Sequence, residues 1–142
     1  MNEECAIIGY YCINPRTCVP NAIDSLEALQ HRGRESSGIS AYCERDGWTL
    51  KKGVGLVKDV FKKYRNGAQY KSVIGHNRYS TSAKRIAHVE IKQDKLDSGL
   101  TFGANGSCDV PEDHDCVIKI QPFHNPIHEF SMVHNGNIQN VP

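Results

Sequence analysis

Residues 5–11, Cys5-Ala6-Ile7-Ile8-Gly9-Tyr10-Tyr11, are the first apolar run of the chain and predict its first β-strand. A short apolar run bounded by loop residues fits a buried inner strand better than a helix. Outward from this run, the next apolar residues recur at helical spacing in residues 21–31, which predicts an amphipathic helix with Asn21 near its N-cap. The intervening residues 12–20 contain Pro15 and Pro20 and are predicted to form a loop.

Further elements follow from turn residues and from the spacing of apolar residues. An Asp-Gly pair at Asp46-Gly47 predicts a β-hairpin with strands in residues 39–42 and 48–52. A second helix is predicted from residue 57 to the Asn66-Gly67 pair. Three more strands are predicted in residues 72–79, 117–120 and 130–134. Such strands with helices between them predict an α+β fold in which helices cover the sheets.

Cys5, at the start of the first strand, would combine two chemical roles if Met1 to Glu4 were removed. A free cysteine thiol has a pKa of about 8.5 and an α-amine a pKa of about 8. The amine of a terminal cysteine can therefore accept the proton of its own thiol. The residue would then be a nucleophile that needs no separate histidine base. The alternative is that Cys5 is a small apolar residue packed at the start of a strand.

Composition narrows the class of protein. The 142 residues suffice for one domain, and 17 basic against 16 acidic side chains provide no basic field for nucleic acid. No apolar run approaches the roughly 18 residues of a membrane span, and the acidic start is unlike a signal peptide, so we expect a cytoplasmic protein with reduced thiols. A weaker alternative is a metal site formed by Cys108, His114, Cys116, His124 and His128, although they lack paired CxxC spacing.

Four blocks of sequence carry a family resemblance. After the near-terminal cysteine come LQHRGRESSGI in residues 29–39, GHNRYST in residues 75–81, QPF in residues 121–123 and HNGN in residues 134–137. In this order they closely resemble the glutaminase domain of the class II glutamine amidotransferases. The LQHRGxES form of the first block favours the branch of purine synthesis that aminates phosphoribosyl pyrophosphate.

The resemblance implies a fold and a domain organisation. The fold is the αββα sandwich of the N-terminal-nucleophile hydrolases, an α+β fold, expected here to be incomplete at the C-terminus. Residues 1–4 would be a propeptide, and residues 5–142 the N-terminal part of the glutaminase domain. An expanded loop in residues 82–114 separates two of the blocks, and it carries Ser82-Ala83 where the family has a glycine.

Roles for individual residues also follow from the resemblance. Asn135 and Gly136 would be the oxyanion site, which suits an Asn side-chain donor beside a Gly that can take positive φ. The local alternative is that these residues form only a tight turn. Arg78, supported by Thr81, would bind the α-carboxylate of glutamine, because a planar guanidinium matches a carboxylate. Otherwise, Arg78 is a solvated surface charge.

Arg32 would line the glutamine site beside Cys5, and we expect it to form a local ion pair with Glu35. The implied partners are L-glutamine and a synthase domain or chain that accepts ammonia, without nucleic acid or membrane, and homo-oligomerisation is left open. No cofactor is expected in these residues, since Mg²⁺ and the iron–sulfur cluster of some members belong to the second half of those enzymes. The alternative function is a truncated, non-catalytic module of the same fold with a role in binding or assembly.

Overall fold

The computed structural model describes residues 4–62, 69–79, 120–125 and 127–136. Its elements, in chain order, are β1 (Ala6–Tyr11), α1 (Pro15–Ala28), a 3₁₀ turn (Gln30–Arg32), β2 (Ser36–Cys43), β3 (Gly47–Val54), α2 (Val57–Val60), β4 (Ser72–Arg78), β5 (Phe123–Asn125) and β6 (Phe130–Met132). Among the described residues, four strands form an antiparallel sheet in the order β1-β4-β2-β3, and β5 pairs with β6 in a second sheet. This mixture of helices and antiparallel sheets is compatible with the predicted α+β class.

Helix α1 begins six residues earlier than the sequence predicted. Its N-cap is Asn14, whose side chain accepts a hydrogen bond from the backbone of Arg16, and Pro15 occupies the first helical position. Proline is favoured there because its missing N–H would have no intrahelical partner. Pro20 lies inside the helix, where it removes one hydrogen bond without ending the helix. The predictions of a loop in residues 12–20 and of an N-cap at Asn21 were therefore wrong.

The main core lies between α1 and one face of the four-stranded sheet. Leu26 of α1 is fully buried, and Gly75 of β4 leaves the space it occupies, since an added Cβ there would lie 3.0 Å from Leu26 Cδ1. Near the C-terminal end of the helix, Asn77 Nδ2 donates to the carbonyl of Leu26 at 2.7 Å, while Asn77 Oδ1 accepts from Ser37 at 2.9 Å. Helix α1 is thereby fixed on β4 by packing and by the hydrogen bond from Asn77 to a carbonyl that has no partner within the helix.

Strand β1 forms where it was predicted, but among the described residues only one of its faces is covered. Ala6 is buried, whereas Ile7 and Tyr11, which point to the other face, are 48% and 78% exposed. Within the described part of the chain, the β5–β6 hairpin packs on β2 and β3, and the strand order β1-β4-β2-β3 puts β1 at the far edge from it. The prediction of a strand was right, and the prediction that it is buried like an inner strand was wrong for these two residues.

The β2–β3 hairpin is confirmed. Cys43 pairs with Gly47 across the turn, and Gly47 has φ +73°, a conformation that glycine adopts without a steric penalty. Strand β4, predicted in residues 72–79, is also confirmed. Strand β6 is shorter than the predicted residues 130–134, and β5 was not predicted, because three residues are too few for a periodic pattern.

The β5–β6 hairpin covers part of the sheet face opposite α1. Ser131 of β6 lies 2.6 Å from the hydroxyl of Ser40 in β2, and His124 of β5 packs with its ring centroid 5.3 Å from that of Trp48 in β3. Gly38 makes this approach possible, since an added Cβ would lie 2.1 Å from the carbonyl oxygen of Gln121. The segment that leads into the hairpin therefore sits directly on the backbone of β2.

Several predictions fall on residues outside the described ranges. These are the end of the second helix, the strand in residues 117–120 except Ile120, the loop in residues 82–114 and the three metal-site residues Cys108, His114 and Cys116. Of the described metal-site residues, His124 contacts Ser131 at 2.9 Å. No helix in the described part of the chain is both long and apolar enough to cross a membrane.

Candidate active site

Cys5 immediately precedes β1 and is a half-buried free thiol. Its Sγ lies 3.9 Å from the carbonyl oxygen of Tyr79. Its own carbonyl oxygen accepts hydrogen bonds from Asn135 Nδ2 at 2.9 Å and from Arg32 Nε at 3.4 Å. Residues from the LQHRG, GHNRYST and HNGN blocks, which are distant in sequence, therefore meet at Cys5.

Strand pairing and one glycine explain how two of these blocks reach Cys5. Ala6 pairs with Asn77, which places the start of β1 beside the end of β4. Gly33 then lets the chain after the 3₁₀ turn lie against the same strand end, since an added Cβ would be 2.7 Å from the backbone of Arg78. Only a residue without a side chain fits this approach. The glycine of LQHRG therefore serves to hold Arg32 beside β1.

Asn135 and Gly136 lie in the chain after β6. Gly136 has φ +149°, which disfavours any residue with a Cβ, and an added Cβ would also lie 3.2 Å from the ring of His134. Asn135 is exposed, and its amide nitrogen carries two hydrogens, of which one points to the Cys5 carbonyl. The second hydrogen is available to another oxygen placed beside Cys5, as an oxyanion donor would require.

The ion pairs around Arg32 differ from the prediction. Arg32 pairs with Glu4 at 2.7 Å, and Glu35 lies 3.9 Å from Nε of Arg78. The expected Arg32–Glu35 pair was wrong because Glu35 lies beside the end of β4, where its backbone N–H donates to the Arg78 carbonyl at 3.1 Å. Arg32 instead faces the segment before β1.

Arg78 ends β4 on the same side of the sheet as Cys5, as the register of β1 and β4 dictates. Its side chain is 29% exposed and keeps access to solvent beside Glu35. A guanidinium in this position can bind the carboxylate of a ligand while it also pairs with Glu35. Thr81, its predicted supporting hydroxyl, lies outside the described residues.

Three histidines lie within these blocks, at positions 31, 76 and 134. His31 is exposed, with Nδ1 3.2 Å from the carbonyl of Ala28. His76 is fully buried in β4, and neither ring nitrogen has a hydrogen-bond partner in the described part of the chain. The pKa of His76 is lowered from 6.5 to about 4, chiefly by burial; the backbone of His134 offsets part of this effect, and the charges of Arg78 and His134 add to it. His76 is therefore a neutral imidazole at neutral pH.

Two residues that the sequence analysis did not assign support the site. The Gln121 side chain bonds to both backbone groups of His134, the residue before Asn135. Lys52 is 4% exposed, and its Nζ donates to the carbonyls of Ile120 at 2.7 Å and Pro122 at 3.3 Å. Burial lowers the pKa of Lys52 to about 8. The available signal was the QPF block for Gln121, and for Lys52 its place within a strand.

Curated relatives support the resemblance. The chain is 32% identical over 140 residues to the amidophosphoribosyltransferase of Pseudomonas aeruginosa and 30% identical over 138 residues to that of Pasteurella multocida, each match covering 96% of this chain and 21% of the relative. It is 41% identical over 111 residues to the chloroplastic amidophosphoribosyltransferase 3 of Arabidopsis thaliana, covering 75% of this chain and 20% of the relative. No family model matches the chain.

The chain thus spans about a fifth of the length of the curated relatives it matches. One of these relatives is chloroplastic by name, so the predicted cytoplasmic location stays a prediction. The bacterial matches extend over nearly all of this chain and include the segments that meet at Cys5. The resemblance predicted from the four blocks is confirmed: this chain is related to the amidophosphoribosyltransferases.

Proposed function

We propose that the chain is the glutaminase part of a purine-synthesis amidotransferase and that it hydrolyses glutamine to glutamate and ammonia through Cys5. One observation carries the proposal: Asn135 and Arg32 both donate to the backbone of the one half-buried thiol that the sequence motifs single out. A thiol that is only a packing residue needs no such convergence of polar groups. The proposed fold is the αββα sandwich of the N-terminal-nucleophile hydrolases.

In the proposed reaction the Cys5 thiol loses its proton to the α-amine of the same residue, and the sulfur attacks the side-chain carboxamide carbon of glutamine. The C–N bond then breaks, and the amine returns the proton so that ammonia leaves. Water hydrolyses the γ-glutamyl thioester to glutamate and restores the thiol. Asn135 and the backbone N–H of Gly136 would stabilise the oxyanion, a contribution worth about 2.7–4 kcal/mol per donor in comparable sites.

Arg78 would bind the α-carboxylate of glutamine and so orient the carboxamide toward Cys5. Arg32 would fix the main chain of Cys5 through its contact with the Cys5 carbonyl oxygen. Thr81 completes the proposed set as a supporting hydroxyl. In the full enzyme, ammonia would pass to a synthase domain or chain and displace pyrophosphate from phosphoribosyl pyrophosphate.

The mechanism requires removal of residues 1–4, because an amide nitrogen is a poor base. Glu4 forms an ion pair with Arg32, and the side chains of Glu4 and Arg32 are 59% and 37% exposed, respectively. Exposed pairs of this kind contribute about 1 kcal/mol or less. Loss of Glu4 with the propeptide would therefore cost little stability and would leave the Arg32 guanidinium to the Cys5 backbone.

A mass measurement after incubation with a diazo-ketone analogue of glutamine tests the proposal. We expect a mass increase that maps to Cys5, in chains that begin at Cys5, together with glutamate release from glutamine. Cys5→Ala should abolish both signals. Cys12→Ala is the matched control, since Cys12 is also a half-buried free thiol and should leave labelling and glutamate release unchanged.

Two results would contradict the proposal. Labelling of Cys12 instead of Cys5 would indicate nonspecific alkylation of an accessible thiol. A chain that begins at Cys5 but neither reacts with the analogue nor releases glutamate would favour the non-catalytic module.

A further inference from the structure

The Gln121 side chain makes a two-point connection to the residue that precedes the proposed oxyanion donors. Gln121 Nε2 donates to the His134 carbonyl at 3.1 Å, and the His134 backbone N–H donates to Gln121 Oε1. The amide thus pairs with His134 as a neighbouring strand would. Because one contact needs a donor and the other an acceptor, neither a carboxylate nor an apolar side chain can replace both.

Gln121 is itself held firmly by the four-stranded sheet. Its carbonyl oxygen lies directly over Gly38, where an added Cβ would be 2.1 Å away. On either side of it, the carbonyls of Ile120 and Pro122 accept hydrogen bonds from the buried Lys52 ammonium. Hydrogen bonds from a charged donor are about twice as strong as neutral ones, so the backbone around Gln121 is a rigid support.

From His134 the connection continues to the nucleophile. The next residue, Asn135, donates to the Cys5 carbonyl at 2.9 Å, and Gly136 follows in a conformation specific to glycine. We propose that Gln121 is a positioning residue that holds the donors of Asn135 and Gly136 in register with Cys5. This inference rests on the proposed glutaminase function and adds to it a residue that touches neither the substrate nor the reacting sulfur.

The alternative is that Gln121 only stabilises the β5–β6 hairpin. Ser40→Ala separates the two readings, because it removes the 2.6 Å contact between Ser40 and Ser131 that also anchors the hairpin, without touching the Gln121–His134 pair. A purely structural role for Gln121 predicts similar behaviour of Gln121→Met and Ser40→Ala. A positioning role predicts that only the Gln121 variant changes the oxyanion donors.

The experiment combines steady-state kinetics with amide hydrogen exchange on the full chain. For Gln121→Met we expect kcat for glutamine to fall about 100-fold, since small misplacements of reacting groups cost that much. KM should stay within about twofold, because the lost interaction acts in the transition state. The His134 amide should exchange about tenfold faster, because its acceptor is gone. Ser40→Ala should show neither change.

Gln121→Glu provides a conservative rescue. A protonated carboxyl group again offers one donor and one acceptor, so the exchange of the His134 amide, relative to that in Gln121→Met, should slow as the pH falls toward the pKa of the new carboxyl group. The proposal is overturned if Gln121→Met leaves His134 exchange unchanged, or if it leaves kcat unchanged in an active chain. If the wild-type chain releases no glutamate, the proposed function fails. Hydrogen exchange of the His134 amide still decides whether Gln121 holds residues 134–136 in place.

Discussion

The stability of the fold should depend on pH through His76. Its imidazole is fully buried in β4, without a hydrogen-bond partner in the described residues, and its pKa is lowered from 6.5 to about 4. In the unfolded chain the same ring takes up a proton below about 6.5. Folding must therefore expel a proton from His76 at any pH between these two values.

The sign and size of the effect follow from this difference. Since the unfolded state binds more protons between pH 6.5 and 4, the free energy of unfolding falls as the pH is lowered through that interval. One pKa unit corresponds to about 1.4 kcal/mol, so His76 should remove about 3 kcal/mol between pH 6.5 and pH 4. Above pH 6.5 His76 is neutral in both states, and below pH 4 it is protonated in both. The free energy of unfolding therefore depends on His76 titration only between these two values.

Urea unfolding of the wild type and of His76→Gln, measured across this interval, isolates the effect. The stability difference between the two proteins should shift by about 3 kcal/mol in favour of the variant as the pH falls, because other titrating groups cancel. His128→Gln, the same substitution at an exposed position, is the control for the exchange of histidine for glutamine itself. A wild-type-to-variant difference that stays constant within about 0.5 kcal/mol would refute the reasoning.

Further predictions concern the support of the hairpin. Gly38→Ala should destabilise the fold by about 1–3 kcal/mol and alter the fluorescence of Trp48, the single tryptophan, because the new Cβ displaces the segment over β2. Gly9→Ala, where an added Cβ meets nothing within 4 Å, should change stability by less than about 0.5 kcal/mol in the same urea titration. The pKa of Lys52 falls from 10.5 to about 8 on folding, so the free energy of unfolding of the wild type should rise with pH between pH 8 and 10.5. Lys52→Met should lack this rise. It should also be less stable than the wild type at pH 7, because two buried carbonyls lose their hydrogen-bond donor. A pH-independent difference between the wild type and Lys52→Met would contradict the last prediction.

Local signals in the sequence predicted the strands and turns well. The apolar run after Cys5, the Asp46-Gly47 pair and the run before Arg78 each specify their element within a few residues, and each is present. The start of α1 was missed for an equally local reason. Pro15 and Pro20 indicate a loop when counted as helix breakers, whereas Pro15 at the first helical position, after Asn14 as N-cap, favours a helix.

Long-range polar contacts could not be predicted in this way. The order of the four blocks indicated which segments belong together, yet the partners of Arg32 and Glu35 depend on the close approach of Gly33 to the end of β4. The contact of Gln121 with His134 joins residues 13 positions apart through side-chain hydrogen bonds, which leave no periodic trace in the sequence. Neither apolar spacing nor turn chemistry reports on such pairs.

The uncovered face of β1 has a practical consequence for work with this chain. Ile7 and Tyr11 on that face, and Phe130 and Met132 on β6, are between 46% and 78% exposed. Environment-sensitive dyes such as anilinonaphthalene sulfonate bind accessible apolar side chains of this kind. The dye should therefore fluoresce on the folded protein before any heating. Dye-based melting curves would start from a raised baseline, which makes the intrinsic indole emission the sounder monitor of unfolding.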